Sequence, residues 1–219
     1  KPTALRELGP YEGGSDYFYL KMAELAGITV PGYRLITDGS GLQHIAVRRF
    51  DRPARTGRMH IATAAGLLHA DPGAPSLDYS DLLKWAWVLT KDNNNVEEQF
   101  RRAVFNYYAT NRDDHAKNHG YLMDSNGGWQ LSPAYDLTYS FGPRGEHWTS
   151  YLGEGKNVTG STLLKLAQIG SINEKTAVGI IDKVRAAVDQ FQTLCKEFSV
   201  PAKYSNPIVT EMQARSIAH

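Results

Sequence analysis

Three polar side chains near the middle of the chain have the types and the spacing that phosphoryl transfer requires. Asp113 is followed five positions later by Asn118, and Asp136 comes 23 positions after Asp113. In protein kinases, an Asp of the catalytic loop orients the acceptor hydroxyl and takes its proton. An Asn on the same loop and a later Asp hold the Mg²⁺ ions that bridge the ATP phosphates. The spacing predicts Asp113 in the first role, and Asn118 and Asp136 in the other two.

The sequence around these side chains predicts elements that would bring them together. An amphipathic helix, a polar loop and two strands joined by a turn are expected over 96–109, 111–118, 120–123 and 129–131. A hairpin of that length would return Asp136 to the loop that carries Asp113 and Asn118. Two carboxylates and an amide at one end of a hairpin suit Mg²⁺, because this ion prefers hard oxygen ligands.

The rest of the chain predicts a mixture of helix and strand, which is an α+β class. Further helices are expected at about 15–26, 79–91, 161–170 and 173–198 and from 206 onwards, with a hairpin over 33–37 and 42–50. Asp78 is expected to cap the second of these helices, and 92–95 to be a break between helices.

Four segments carry a resemblance to a known family. They are Asn111–Asn118 (NRDDHAKN), 131–137 (LSPAYDL), 16–31 with its AGITVP turn, and 46–52, which ends in RFDR. These segments resemble the HipA-like serine/threonine kinases, the toxins of bacterial toxin–antitoxin pairs. The resemblance extends over about residues 1–199.

The resemblance implies a protein-kinase-like (HipA-like) fold that holds ATP between two lobes, with ATP and Mg²⁺ as cofactors. Residues 1–55 would be the remnant of a small β-containing N-lobe, with a helix, a β-hairpin and the hinge. Residues 56–219 would form a mainly helical C-lobe that carries the catalytic loop and Asp136. Asp113 would be the catalytic base, and Asn118 and Asp136 would be the metal ligands.

The resemblance also assigns residues to nucleotide binding. His115 would lie near the phosphates and organise the loop, and backbone groups from Arg48 to Phe50 would form the hinge that holds the adenine. Lys1 would pair with the α- and β-phosphates. Arg48 occupies a position that is often acidic in the family. No glycine-rich loop precedes Lys1, so the chain is expected to be the C-terminal portion of a longer protein.

The resemblance further implies partners for the parent protein. Its substrate would be a translation-related protein such as an aminoacyl-tRNA synthetase. An antitoxin with a helix-turn-helix domain would bind it, and DNA would be reached only through that antitoxin.

The composition narrows the function classes. The 219 residues are 42% hydrophobic and carry a net charge of +1 with both signs interspersed, so a sizeable core is expected and no basic patch predicts direct DNA binding. The single cysteine, Cys195, lies in an apolar helical pattern and is predicted to be buried. A single cysteine, which cannot form an internal disulfide, suits a reducing cytoplasm. No apolar run is long enough to span a bilayer, so no membrane contact is expected.

Other interpretations of the same residues stay open. Asp113, Asn118 and Asp136 could be turn formers, because Asp and Asn favour turns. The chain could be a catalytically incomplete kinase-fold module that binds an antitoxin. A metal-dependent phosphohydrolase could use the cluster Asp113, Asp114 and His115, although it would need more ligands than the sequence displays. Asp114 is expected to be a solvent-exposed or hydrogen-bonding neighbour of Asp113.

Overall fold

The computed structural model describes residues 12–53, 57–71 and 74–217, which form a mixture of helices and short strands. The α-helices are α1 (Glu12–Leu25), α2 (Ala64–Leu67), α3 (Tyr79–Thr90), α4 (Asn93–Tyr108), α5 (Gly160–Ile169), α6 (Glu174–Val188), α7 (Phe191–Glu197) and α8 (Ala202–Ile217). The strands are β1 (Tyr33–Thr37), β2 (Gln43–Val47), β3 (His60–Thr63), β4 (Leu77–Asp78), β5 (Gly120–Met123), β6 (Trp129–Leu131) and β7 (Thr149–Ser150). The predicted α+β class is confirmed.

These strands form three small sheets. β1 and β2 form an antiparallel hairpin, β3, β5 and β6 form an antiparallel sheet with β5 in the middle, and β4 pairs in parallel with β7. In the central sheet Thr63 pairs with Gly120, the first residue of β5, and Tyr121 pairs with Leu131. The central sheet therefore fixes both ends of the predicted site, because the polar loop enters β5 and the segment with Asp136 leaves β6.

A single core joins the N-terminal helix to the later helices. Phe18 of α1 packs edge-on against Phe191 of α7, with ring centroids 6.2 Å apart. Tyr19 packs in the same way against Phe105 of α4, also at 6.2 Å, and its hydroxyl donates to the backbone oxygen of Ala109. The helix assigned to the N-lobe portion therefore shares its apolar contacts with α4 and α7. The domain boundary at residue 55 stays a prediction.

Several local predictions are confirmed. The strands of the β5–β6 hairpin have the predicted bounds, and the hairpin β1–β2 forms with a second strand shorter than expected. Asp78 caps α3, because its carboxylate accepts a hydrogen bond of 2.8 Å from the backbone N–H of Ser80. Cys195 is buried, and burial raises the pKa of its thiol to about 11.

Other local predictions are wrong. The break expected at 92–95 lies instead at 91–92, because 93–95 form the first turn of α4, which Asp92 caps through the backbone N–H of Asn94. The single helix expected over 173–198 is two helices, because the chain turns at Asp189 and Gln190 while the apolar spacing continues across the turn. Strand β3 was not predicted at all.

None of the described helices combines the length and the apolar composition that a membrane span requires.

Candidate active site

The polar loop 111–118 follows α4 and is fixed to the segment that comes after Asp136. Thr110 has a left-handed backbone, with φ 54°, and turns the chain out of the helix. Its carbonyl accepts from the N–H of Ser140 at 3.0 Å, and the N–H of Arg112 donates to the carbonyl of Ser140 at 3.3 Å. Asn111 and Ser140 thus form an isolated parallel bridge immediately before Asp113. This bridge sets the position at which the loop begins.

Within the loop, the structure brings Asp113, His115 and Asn118 together. The Nε2 of His115 lies 3.0 Å from an Oδ1 of Asp113, and the side-chain amide of Asn118 donates to the backbone oxygen of Asp113 at 2.9 Å. The backbone N–H of Asn118 donates to the carbonyl of His115 in the short 3₁₀ turn Ala116–Asn118. Since the amide nitrogen of Asn118 faces its own loop, its amide oxygen is the atom left to act as a metal ligand.

The indole ring of Trp148 packs against the face of the His115 imidazole ring. The two rings stack with centroids 3.9 Å apart and an interplanar angle of 29°. Burial lowers the pKa of His115, although the carboxylate of Asp113 opposes that shift. The Nε2 atom of this imidazole is the ring atom that contacts the carboxylate of Asp113.

The segment that carries Asp136 is held against the loop by its neighbour Tyr135. The hydroxyl of Tyr135 donates to the backbone oxygen of Lys117 at 2.6 Å, which ties this segment to the end of the loop. Gly120 permits this approach, because a Cβ there would lie 3.2 Å from the hydroxyl of Tyr135 and 2.7 Å from the Oγ of Ser132. Asp136 is exposed, and its charge is one of those that act on His115.

The backbone of Asp136 is left-handed, with φ 56°. This conformation is uncommon for residues other than glycine, although Asp and Asn adopt it more often than most. Such conformations cost free energy and cluster at functional sites.

Asp114, the next residue after Asp113, is an anchor inside the protein. Its carboxylate is fully buried and accepts four hydrogen bonds: from the Tyr79 hydroxyl at 2.8 Å, His147 Nδ1 at 2.9 Å, and the N–H groups of Trp148 at 2.9 Å and Thr149 at 3.2 Å. Burial raises the pKa of Asp114, but His147 and the other donors outweigh burial, so the pKa lies below its ordinary value. Of the two alternatives expected for Asp114, the hydrogen-bonding one is confirmed and the solvent-exposed one is wrong.

The predicted nucleotide residues fall in different places. Phe50 lies beside the site, because its ring packs against Tyr135 with centroids 5.6 Å apart. Arg48 is exposed; its N–H donates to the carbonyl of Gly32 and its guanidinium to that of Pro53, so these contacts do not bring it to the loop. Lys1 lies outside the described residues.

The side chains of Asp113, Asn118 and Asp136 carry carboxylate and amide oxygen atoms, the type of ligand that Mg²⁺ prefers. Among the residues that the structure describes, no group of three or more His, Cys, Asp or Glu side chains is placed to hold a metal ion.

Sequence reasoning missed the residues that position this site. Three of the four partners of Asp114 lie 33 to 35 positions further along the chain, in the segment 147–149, and the fourth, Tyr79, lies 35 positions before it. The adjacent residues Asp113 and Asp114 were the one local signal of such partners, because a second acid beside a catalytic one needs a partner of its own.

Comparisons with known proteins assign the chain to a family and a fold. The family description "HipA-like C-terminal domain" matches residues 4–191. HipA of Shewanella oneidensis MR-1, solved with HipB and its operator DNA, is similar in structure with a TM-score of 0.75 and 15% identity, over 94% of this chain and 55% of that one. The Helicobacter pylori proinflammatory kinase CtkA has a TM-score of 0.60 and 14% identity, over 95% of this chain and 86% of that one. The kinase-like fold is thus confirmed.

Two curated relatives are similar in sequence. "Putative kinase Y4dM" of Sinorhizobium fredii is 26% identical over 215 residues, which are 90% of this chain and 52% of that protein. A "Putative kinase" of Haemophilus influenzae is 24% identical over 159 residues, which are 65% of this chain and 45% of that protein. The chain therefore spans about half the length of the curated relatives it matches.

Proposed function

The chain belongs to the family of HipA-like C-terminal domains, and we propose that its parent protein transfers the γ-phosphate of ATP to a serine or threonine hydroxyl of another protein, with Mg²⁺. The observation that carries this proposal is the arrangement around Asp113. His115 holds one of its carboxylate oxygens, Asn118 holds its backbone, and Tyr135 fixes the segment of Asp136 to the same loop.

Each residue would have a distinct part in the reaction. The carboxylate of Asp113 would orient the acceptor hydroxyl and accept its proton, which is the role of the catalytic-loop Asp in protein kinases. His115 would keep that carboxylate in place. The amide oxygen of Asn118 and the carboxylate of Asp136 would hold Mg²⁺, which neutralises charge on the phosphates.

The nucleotide assignments are part of the same proposal. Backbone groups from Arg48 to Phe50 would hold the adenine, because Phe50 already contacts the segment that carries Asp136 through Tyr135. A backbone contact would not depend on the exposed side chain of Arg48. Lys1 remains the proposed partner of the α- and β-phosphates.

The partners of the parent protein are also proposed from its family. A translation-related protein such as an aminoacyl-tRNA synthetase would be the substrate, in the cytoplasm. A helix-turn-helix antitoxin would be the second partner, since the similar HipA was solved with HipB and operator DNA. Gel-shift assays with and without a small helix-turn-helix protein encoded beside this gene would test whether DNA is reached only through the antitoxin.

Transfer of labelled γ-phosphate from ATP–Mg²⁺ to proteins of a cell extract tests the catalytic proposal. We expect Asp113→Asn in the full-length parent protein to reduce transfer by about 10³-fold or more, since loss of a catalytic group removes interactions made in the transition state. The variant should still bind ATP. Asp81→Asn is the matched control, because it removes an exposed carboxylate paired only loosely with Lys84, 3.6 Å away.

Full activity of the Asp113→Asn variant would refute the assignment. ATP binding without transfer by the wild-type protein would instead identify a catalytically incomplete kinase-fold module kept for binding an antitoxin. A labelled band that is lost in the variant would give the substrate by mass spectrometry.

A further inference from the structure

Arg112, the residue before Asp113, carries a buried positive charge that faces away from the site. Its side chain is 8% exposed. One guanidinium nitrogen donates to the backbone oxygen of Phe141 at 2.8 Å, and another lies 2.7 Å from an Oε1 of Glu211 on α8. A buried cation needs a charged partner, because removing it from water costs more than a neutral acceptor returns. Glu211 supplies that partner.

The same carboxylate also reaches the segment that follows Asp136. The second oxygen of Glu211 accepts a hydrogen bond of 2.5 Å from the hydroxyl of Tyr139, three positions after Asp136. Glu211 is therefore bonded to the direct neighbour of Asp113 on one side and to a near neighbour of Asp136 on the other. One side chain links the two backbones whose separation sets the distance between those carboxylates.

Helix α8, which carries Glu211, is anchored to the rest of the fold. Ile208 and Met212 of α8 are buried in the core, and Arg215 donates to the backbone oxygen of Tyr107, near the end of α4, at 2.9 Å. Arg215 also lies 3.8 Å from Glu211, one helical turn away. The carboxylate is thus presented from a packed helix rather than from a mobile loop.

We propose that Glu211 is a positioning residue for phosphoryl transfer and that α8 is a latch that orders the segment 137–148 against the catalytic loop. This inference rests on the proposed function. In many kinases the activation loop becomes ordered when a phosphorylated residue forms a new pair with an arginine. Here Arg112 is already paired with a carboxylate of the same chain, so the segment is ordered without phosphorylation.

Replacement of Glu211 by glutamine in the full-length parent protein tests the latch. We expect kcat at saturating ATP to fall by about 10²-fold, because a displacement of about 1 Å of a catalytic group has an effect of that order. Amide hydrogen exchange of the segment 137–148 should become about tenfold faster, since the segment would open locally more often. Tyr139→Phe keeps the ion pair, so smaller changes in the same two measurements are expected.

Two controls separate positioning from stability and from net charge. Leu194→Ala on α7 removes buried apolar side-chain atoms and should destabilise the fold without changing kcat of the folded protein. Glu197→Gln removes an exposed carboxylate near the end of the same helix and should change neither measurement. Glu211→Asp keeps the charge and should recover part of kcat.

The outcomes distinguish the latch from the proposed function. Faster exchange in Glu211→Gln together with no transfer by the wild-type protein would support the latch as an ordering device and overturn the proposed function. An active wild type with unchanged kcat and exchange in Glu211→Gln would overturn the latch. If Glu211→Gln does not fold, Tyr139→Phe decides, and unchanged values in that variant overturn the latch as well.

Discussion

Asp113 and Asp114 are identical residues at adjacent positions, yet they lie in opposite surroundings. The side chain of Asp113 is 31% exposed and has His115 beside it, whereas that of Asp114 is fully buried and accepts four hydrogen bonds. An extended backbone turns successive side chains to opposite faces, so one carboxylate can enter the site while the other enters the core. The difference separates two tasks: Asp113 is available for chemistry because Asp114 holds the loop.

Asp114, the buried member of this pair, also connects several parts of the fold. The donors to Asp114 come from α3 and from the segment 147–149, and Tyr79 is in turn held by Asn106 of α4 at 2.8 Å. On the other side, Asp113 is half-buried and Asp136 is exposed. Asp114 therefore provides rigidity, while the carboxylate of its neighbour Asp113 stays accessible.

The largest expected effect is a difference in stability between two matched variants. Asp114→Ala should lower the free energy of unfolding by about 3–5 kcal/mol, since breaking a buried charge network leaves His147, Tyr79 and two backbone donors without their acceptor. Asp113→Ala should change it by less than about 1 kcal/mol, because the contact of Asp113 with His115 is partly exposed. Urea denaturation of both variants measures the difference. Equal losses would show that Asp114 is not the anchor.

An acid titration tests the same division through charge. The pKa of Asp114 is lower in the folded protein than its ordinary value of 3.8, so its contribution to stability is fully present well above pH 3.8 and is lost as the pH falls below that value. The wild-type unfolding free energy should therefore fall more steeply than that of Asp114→Asn below about pH 4. One group contributes at most about 1.4 kcal/mol per pH unit. Parallel curves would contradict the assigned shift.

The smallest expected effect concerns Trp148, which contacts both Asp114 and His115, the histidine beside Asp113. Its backbone N–H donates to Asp114, while its ring stacks on His115. Trp148→Leu removes only the ring contact, and Trp148→Phe keeps an aromatic surface there. Their free energies of unfolding should differ by about 0.5–1.5 kcal/mol, the usual range for an aromatic pair.

Comparing phosphate transfer by these two Trp148 variants shows whether the stack affects Asp113. We expect Trp148→Leu to be the slower enzyme, because a mobile His115 would hold the carboxylate of Asp113 less firmly. Equal rates would confine the role of Trp148 to its backbone.

Local sequence patterns predicted the parts of the site that are close in sequence. The hairpin β5–β6 was predicted with the bounds that the structure shows, and it returns the segment of Asp136 to the loop, as expected. The capping role of Asp78 also followed from residue type and position alone. These features depend on hydrogen bonds over a few residues, and such patterns are visible in a single sequence.

Features that depend on distant residues could not be predicted in this way. Pairing of β3 with β5 joins residues about 60 positions apart, and nothing in the four-residue strand itself marks it as part of a sheet. The turn at 189–190 was missed because the apolar spacing of α6 continues into α7. The buried role of Asp114 depends on His147, which a reading of the loop alone does not reveal.

The distance between Arg112 and Glu211 along the chain has a consequence for the time at which the site is completed. The two residues are 99 positions apart, so at about 5–20 residues per second a ribosome needs roughly 5–20 s to add the second after the first. During that interval the loop with Asp113 exists without the carboxylate that pairs with its arginine. A newly made chain would thus acquire the pairing that orders this loop only after Glu211 has been added.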